Sequence, residues 1–347
     1  VAAERAEFAL RRERLALRSR LSQLVAAPPS GLDPAWLADA NATTDVDLGN
    51  FAAASSGNTL WVSTAFVDAV ETRMSALAAA LAWYAKTSAS GQQRVVIIDA
   101  RQPGVTARQL ANFAVPAVVI DARGGAATLV VAVPAAHSVP SEPHASHLAF
   151  TDMFHRAGAD VVIEHGVVAA EVIGLEVARV VDEDGRATVR IGVGVHDRET
   201  FRMLHGNEAT FEQLQGVVAT VTTYRKPGAA SHPLNLLAPE RALRHRAIND
   251  SRALGLATLQ SAEPPVPRAN LKDNVPCCAT GRTSNGDDVV AVFVAGVDLD
   301  AVPFAADARA RLAPRAKLMI VSESRNIMPT QRRLATLLKS PAEFVSA

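Results

Sequence analysis

VVIIDARQPGVTARQLANFAVPAVVIDAR, residues 95–123, decides the fold class. Two apolar runs, VVII at 95–98 and AVVI at 117–120, each lead into Asp-Ala-Arg, and TARQLANFA at 106–114 lies between them. Runs of this length without alternation are strands buried on both faces, and a short helix joining two of them predicts a parallel pair in an α/β sheet. Asp99 and Arg101 then close one strand and Asp121 and Arg123 the next. Carboxyl ends of parallel strands are where open α/β sheets take small-molecule ligands, so these four residues are the candidate ligand site. Asp and Arg also terminate strands and cap turns, which is the plainer reading of the same residues.

Upstream, residues 65–86 place Phe66, Ala69, Val70, Met74, Leu77, Leu81 and Tyr84 on one helical stripe. Residues 3–24 do the same with Phe8, Leu10, Leu15, Leu17, Leu21 and Leu24, and carry Arg5, Arg11, Arg12, Arg14, Arg18 and Arg20 on the remaining surface. This amphipathic basic helix makes Arg11, Arg12, Arg14 and Arg18 candidate contacts to nucleic-acid phosphates or to another protein, against a solvated helix face. APPSG at 27–31 and the stretch rich in small and polar residues at 38–58 are expected to be linker.

Downstream, His144, His147, Asp152 and His155 cluster and are the candidate metal ligands, although no HExxH or other diagnostic spacing organises them. DVVIEHGVVAAEVIGLEVARVV at 160–181 holds Glu164, Glu171 and Glu176 among Val, Ile and Ala. Taken as one continuous extended stretch, it sends Glu171 and Glu176 to opposite faces unless Gly174 bends it. The wet side of a sheet is the expected home of these acids. If buried together, Glu171 and Glu176 with His196, Asp197 and Glu199 of VHDRE are the catalytic candidates. DEDG at 182–185 is a hairpin turn and ATVRIGVGV at 187–195 its return strand. Helices are expected over 208–224 and 238–250, with Pro239 in a first turn. Arg241, Arg244 and His245 share a face of the latter, and Arg241 and Arg244 join the nucleic-acid candidates.

The 347 residues imply two or three domains, and 49% hydrophobic content excludes bulk disorder. We expect a basic helix and linker over 1–57, a small α/β unit over 58–145, a first hairpin-led unit over 146–255 and a second over 256–347. Lys and Arg (35) balance Asp and Glu (35), which removes any whole-molecule attraction to nucleic acid or an acidic membrane. The adjacent Cys277 and Cys278 suit neither a disulfide nor a zinc half-site. No apolar run approaches the ~20 residues of a membrane helix, and no signal h-region opens the chain, so a soluble cytoplasmic protein without membrane partners is expected. Phosphate-loop, dinucleotide, GxSxG and zinc patterns are missing, and no cofactor is called for.

Residues 176–201 lie without gaps on 277–302: Ala178 meets Ala279, Gly185 meets Gly286, Val189 meets Val290, Val193 meets Val294, Asp197 meets Asp298, and Glu199 meets the acid Asp300. The two hairpin-led units are therefore read as duplicated. The second continues through VVAVFVAG (289–296), a helix at 299–312, KLMIVSE (317–323), a helix at 330–338 and EFVSA. That order, with IMPTQRRLATLL before the last strand, resembles the restriction-endonuclease-like (PD-D/E-x-K) fold. The resemblance implies metal-binding acids and a lysine on the second hairpin strand. Phe293 and Ala295 stand where the pair would fall, and Ala187 to Val195 offers only Arg190. The expectation is a non-catalytic binding or scaffold protein on a degenerate nuclease-like fold, with nucleic acid as the partner the basic helix suits. The alternatives are a metal- or carboxylate-dependent hydrolase using the acids of 164–199, and a small-molecule binder at Asp99 and Asp121.

Overall fold

In the first sheet, strands that sequence alone marks and strands that it hides lie side by side. The computed structural model describes residues 2–64, 75–87, 93–99, 101–123, 126–130, 142–206, 209–268 and 275–347. These divide into two units, Val1–Ala136 with Asp298–Asp307 and Met328–Ala342, and His137–Val297 with Ala308–Ile327 and Glu343–Ala347.

The first unit opens with α1 (Ala2–Ala26), followed by β1 (Thr44–Leu48), β2 (Phe51–Ser56), β3 (Thr59–Ser63), α2 (Ala76–Thr87), β4 (Arg94–Asp99), α3 (Pro103–Leu110), β5 (Ala117–Asp121) and β6 (Thr128–Val130). The six strands lie in chain order: β1, β2 and β3 run as an antiparallel meander, β4 and β5 continue parallel to β3, and β6 returns antiparallel. The fold is thus α/β, and the parallel pair expected from residues 95–121 is present. Residues 38–58 are not linker. β1 and β2 fall there, and Phe51, Ala52, Ala53 and Ala54 are buried. Alanine carries little strand signal, so burial against α1 rather than propensity makes this strand. Leu17, Leu21 and Leu24 of α1 pack over Ala52, Ala54, Trp61 and Val96. The first half of the stripe expected over 65–86 lies outside the described residues.

In the second unit, the short helices α4 (Ala145–Leu148) and α5 (Thr151–Arg156) precede β7 (Asp160–Glu164), β8 (Val167–Val172), β9 (Leu175–Glu183) and β10 (Arg186–Ile191), an antiparallel sheet. The 160–181 stretch is therefore three strands and not one. His165-Gly166 and Ile173-Gly174 turn the chain with both residues at positive φ, as Asp184-Gly185 does at the expected hairpin. Paired positive φ is the primed two-residue turn that matches strand twist. Ile173 at φ 49° is costly for a β-branched residue, and the buried Arg225 holds its carbonyl at 2.8 Å.

After this sheet come α6 (Val195–His205), α7 (Phe211–Arg225), α8 (Pro239–Asn249), β11 (Leu256–Ala262), β12 (Cys277–Thr283), β13 (Asp288–Phe293), α9 (Ala301–Leu312), β14 (Lys317–Ser322), α10 (Pro329–Ala335) and β15 (Glu343–Ser346). Strands β11 to β15 form a sheet in chain order, with β11, β12 and β13 antiparallel and β14 and β15 parallel to β13. The first part of α9, and α10, pack in the first unit. Thr210 and Gln213 form a capping box at the start of α7, and Pro239 occupies the expected first turn of α8. No helix among the described residues is long and apolar enough to cross a membrane.

Candidate functional site

Helix α8 and the β7–β8 hairpin bring the chemistry-bearing residues of the second unit together. Arg241 and Arg244, three positions apart on α8, reach Glu164 at the end of β7 and Glu171 on β8. Arg241 donates through Nη1 to Glu171 and through Nη2 to Glu164. Arg244 donates to Glu164 at 2.7 Å, to Glu171 at 3.3 Å and to the Cys278 carbonyl at 3.3 Å. Arg244 is 2% exposed and Glu171 3%. Neither the wet-face expectation for these two acids nor the solvated or phosphate-binding face expected for the two arginines survives, because each set neutralises the other inside the fold. Burial alone would push the Glu164 carboxyl up, but the charges of Arg241 and Arg244 outweigh it and hold the group below its ordinary value.

A carboxylate whose native pKa is depressed contributes stability above its unfolded pKa, and that contribution is lost as pH falls through the native value. Acid should therefore loosen the second unit, with the loss setting in near pH 4 and deepening below it. Urea midpoints measured between pH 7 and pH 3 check this, and Glu164→Gln should flatten the dependence.

Charged neighbours extend the cluster. Burial pushes the Glu240 carboxyl up, and Arg268 lies 3.3 Å from it. Glu263 accepts the backbone N–H of His165 at 2.6 Å and pairs with Arg311. Burial, reinforced by the Arg311 charge, lowers the His165 imidazole. Burial pushes the Cys277 thiol up to about 12, so it is an inert core group. Helical and strand spacing flagged Glu164, Glu171, Arg241 and Arg244 separately, but nothing in the sequence paired them.

The other candidates are held locally. Glu176 sits directly opposite Glu171 on the neighbouring strand and takes Arg179 at 2.6 Å and Arg198 at 2.9 Å. The expectation of opposite faces on one strand fails because the Ile173-Gly174 turn separates them. Asp197 accepts the Val193 N–H at 2.6 Å at the start of α6, whereas His196 is fully exposed and lies 3.8 Å from Glu199. His144 caps α4 through Ser146, His147 meets Asp182 at 3.0 Å, Asp152 lies 3.7 Å from Arg156, and His155 is exposed. Among the described residues, no three His, Cys, Asp or Glu side chains gather as a metal site.

In the first unit both Asp99 oxygens are occupied: Thr64 and the Arg101 and Gln102 N–H groups donate to one, and Thr106 donates to the other at 2.5 Å. Asp99 thus ties the end of β4 to the start of α3. Asp121 pairs with its own neighbour Arg123, which lowers its pKa. Along α1, Arg18 bonds Asp45 at 2.8 Å and Arg12 lies 3.5 Å from Glu13, while Arg11 is exposed and Arg14 half-buried. Phe8 and Leu15 are exposed on this helix beside them. Asp298, marked in the sequence only as the counterpart of Asp197, lies before α9, where burial and the charge of Asp300 push it up to about 7.

In comparison with known proteins, no family model, curated protein or solved structure matches this chain.

Proposed function

We propose that the chain is a non-catalytic binding or scaffold protein on a degenerate nuclease-like layout, with α1 contacting nucleic-acid phosphates. The observation that carries this reading is the closure of three acids, Glu164, Glu171 and Glu176, on arginines. Glu164 and Glu171 spend their oxygens on Arg241 and Arg244, and Glu176 on Arg179 and Arg198. The strand on which the resembling nucleases carry acid and lysine supports it further, since Val289, Val290, Ala291, Val292 and Phe293 of β13 are all apolar and buried. The strand that the sequence sets beside it, β10, reads RATVRI and carries no acid or lysine. Asp298 and Asp300 lie beyond β13, and Asp300 is engaged by Ser75.

Arg11, Arg12 and Arg18 of α1 are exposed, whereas Arg244 of α8 is buried and Arg241 half-buried. Two measurements test the proposal. Incubation with duplex DNA and Mg²⁺ should give no cleavage, and robust cleavage abolished by Asp298→Ala would refute the non-catalytic reading. Affinity for DNA or RNA should fall steeply with salt, and Arg11→Glu with Arg12→Glu should reduce the slope of log affinity against log salt by about 2, one for each phosphate that is no longer neutralised. Absence of binding at low salt would remove nucleic acid as the partner.

A further inference from the structure

Both mixed sheets follow one progression. A three-strand meander leads into a helix, a parallel strand, a shorter helix and a last parallel strand: β1-β2-β3-α2-β4-α3-β5 and β11-β12-β13-α9-β14-α10-β15, each with its strands in chain order. The agreement reaches single hydrogen bonds. Beyond β3, Thr64 N donates to Ile98 O at 3.0 Å, and beyond β13, Val294 N donates to Val321 O at 2.9 Å. Ile98 and Val321 are both next to last in their strands. After the final strands, Ala122 N donates to Asp99 O and Ala347 N to Ser322 O, both at 3.1 Å. Helices α2 and α9 have 12 residues each. Their first turns also match, with Ala79 N bonded to Ser75 O and Phe304 N to Asp300 O.

Within the first unit, equivalent residues of the two progressions touch each other. Ser75 and Asp300, the residues that open α2 and α9, stand 225 positions apart, and Asp300 accepts both the Ser75 N–H, at 2.6 Å, and its hydroxyl. Phe113 and Leu338, separated by that same interval, form an antiparallel bridge. It is flanked by a reciprocal pair of bonds, Ala114 N to Leu337 O at 2.8 Å and Lys339 N to Asn112 O at 2.9 Å. Helix α2 also packs on α10. Contacts between equivalent positions, and bonds that map onto one another when the partners are exchanged, mark a two-fold axis.

We infer that the chain is a fused pseudodimer, in which residues 44–121 and 256–346 are two copies of one progression, and that within the first unit α2 and α3 meet their counterparts, the start of α9 and α10, about a local two-fold axis. The α2–α3 surface is thus covered by the equivalent helical elements of the second progression, supplied in the same chain. Residues 142–225, with the antiparallel sheet, are an insertion between the copies. The likeness of 176–201 to 277–302 then reflects a shared hairpin-and-helix order, because among the described residues the sheet of β7 to β10 holds no parallel strand.

The axis predicts that its residues can be exchanged across it. In the full chain, Ser75→Asp brings two carboxylates together and Asp300→Ser removes the acceptor, so each should lower Tm by roughly 2–4 °C. Made together they rebuild the contact with its halves interchanged. Recovery of more than half of the summed decreases supports the inference, whereas smaller recovery, or single variants without any decrease, overturns it. Phe113→Leu with Leu338→Phe, read by the same criterion, decides the question if an acid at position 75 prevents folding.

Discussion

Arg244→Met should lower the unfolding free energy by about 3–5 kcal/mol in urea denaturation at pH 7, as breaking one arm of a buried ionic cluster does. Arg244 is 2% exposed and serves both Glu164 and Glu171, so its removal leaves two buried carboxylates sharing Arg241. Desolvation makes the remaining charge, rather than the missing bonds, the larger cost. Arg252→Met, on an exposed arginine of the same unit, should change stability by no more than about 0.5 kcal/mol. Replacing all four charged residues by apolar side chains of similar volume should be far less harmful than Arg244→Met alone. A destabilisation by Arg244→Met no larger than that by Arg252→Met would mean that water reaches the cluster.

Gly174→Ala is the second large expectation, with a destabilisation of at least about 3 kcal/mol if the clash cannot relax. Gly174 holds φ 76°, and a Cβ there would stand 2.3 Å from the carbonyl carbon of Arg241 and 2.6 Å from the Ala242 nitrogen. Those are backbone atoms of α8, which cannot swing aside as a side chain can. Gly185 has almost the same φ but no atom within 4 Å of such a Cβ. Gly185→Ala should therefore show only the left-handed backbone penalty, about 1–2 kcal/mol. The difference between the two variants measures how closely the β8–β9 turn is seated on α8, and equal destabilisation would show that α8 moves freely off that turn.

Residues 95–121 and 289–346 were legible because their signals are local. VVII, AVVI and KLMIVS are strong strand formers, DEDG is a hairpin turn, and Pro239 marks the start of a helix. Residues 44–56 were illegible because FAAASS has no β-branched or aromatic residue after Phe51, and its burial comes from α1, far back in the chain. The turns at His165-Gly166 and Ile173-Gly174 were hidden because neither His nor Ile ordinarily takes positive φ, leaving each glycine as the sole signal.

The local pattern of residues determined the helices and strands of 95–121 and 289–346, their order, and the shared face of Arg241 and Arg244. Only tertiary structure decided whether that face meets water or acid, since Glu164 and Glu171 lie 80 and 73 positions from Arg244. The same holds across 225 positions for Ser75 and Asp300. A charged side chain is compatible with solvent or with a buried partner, and the choice between them depends on desolvation and pairing, which arise only when distant elements have packed.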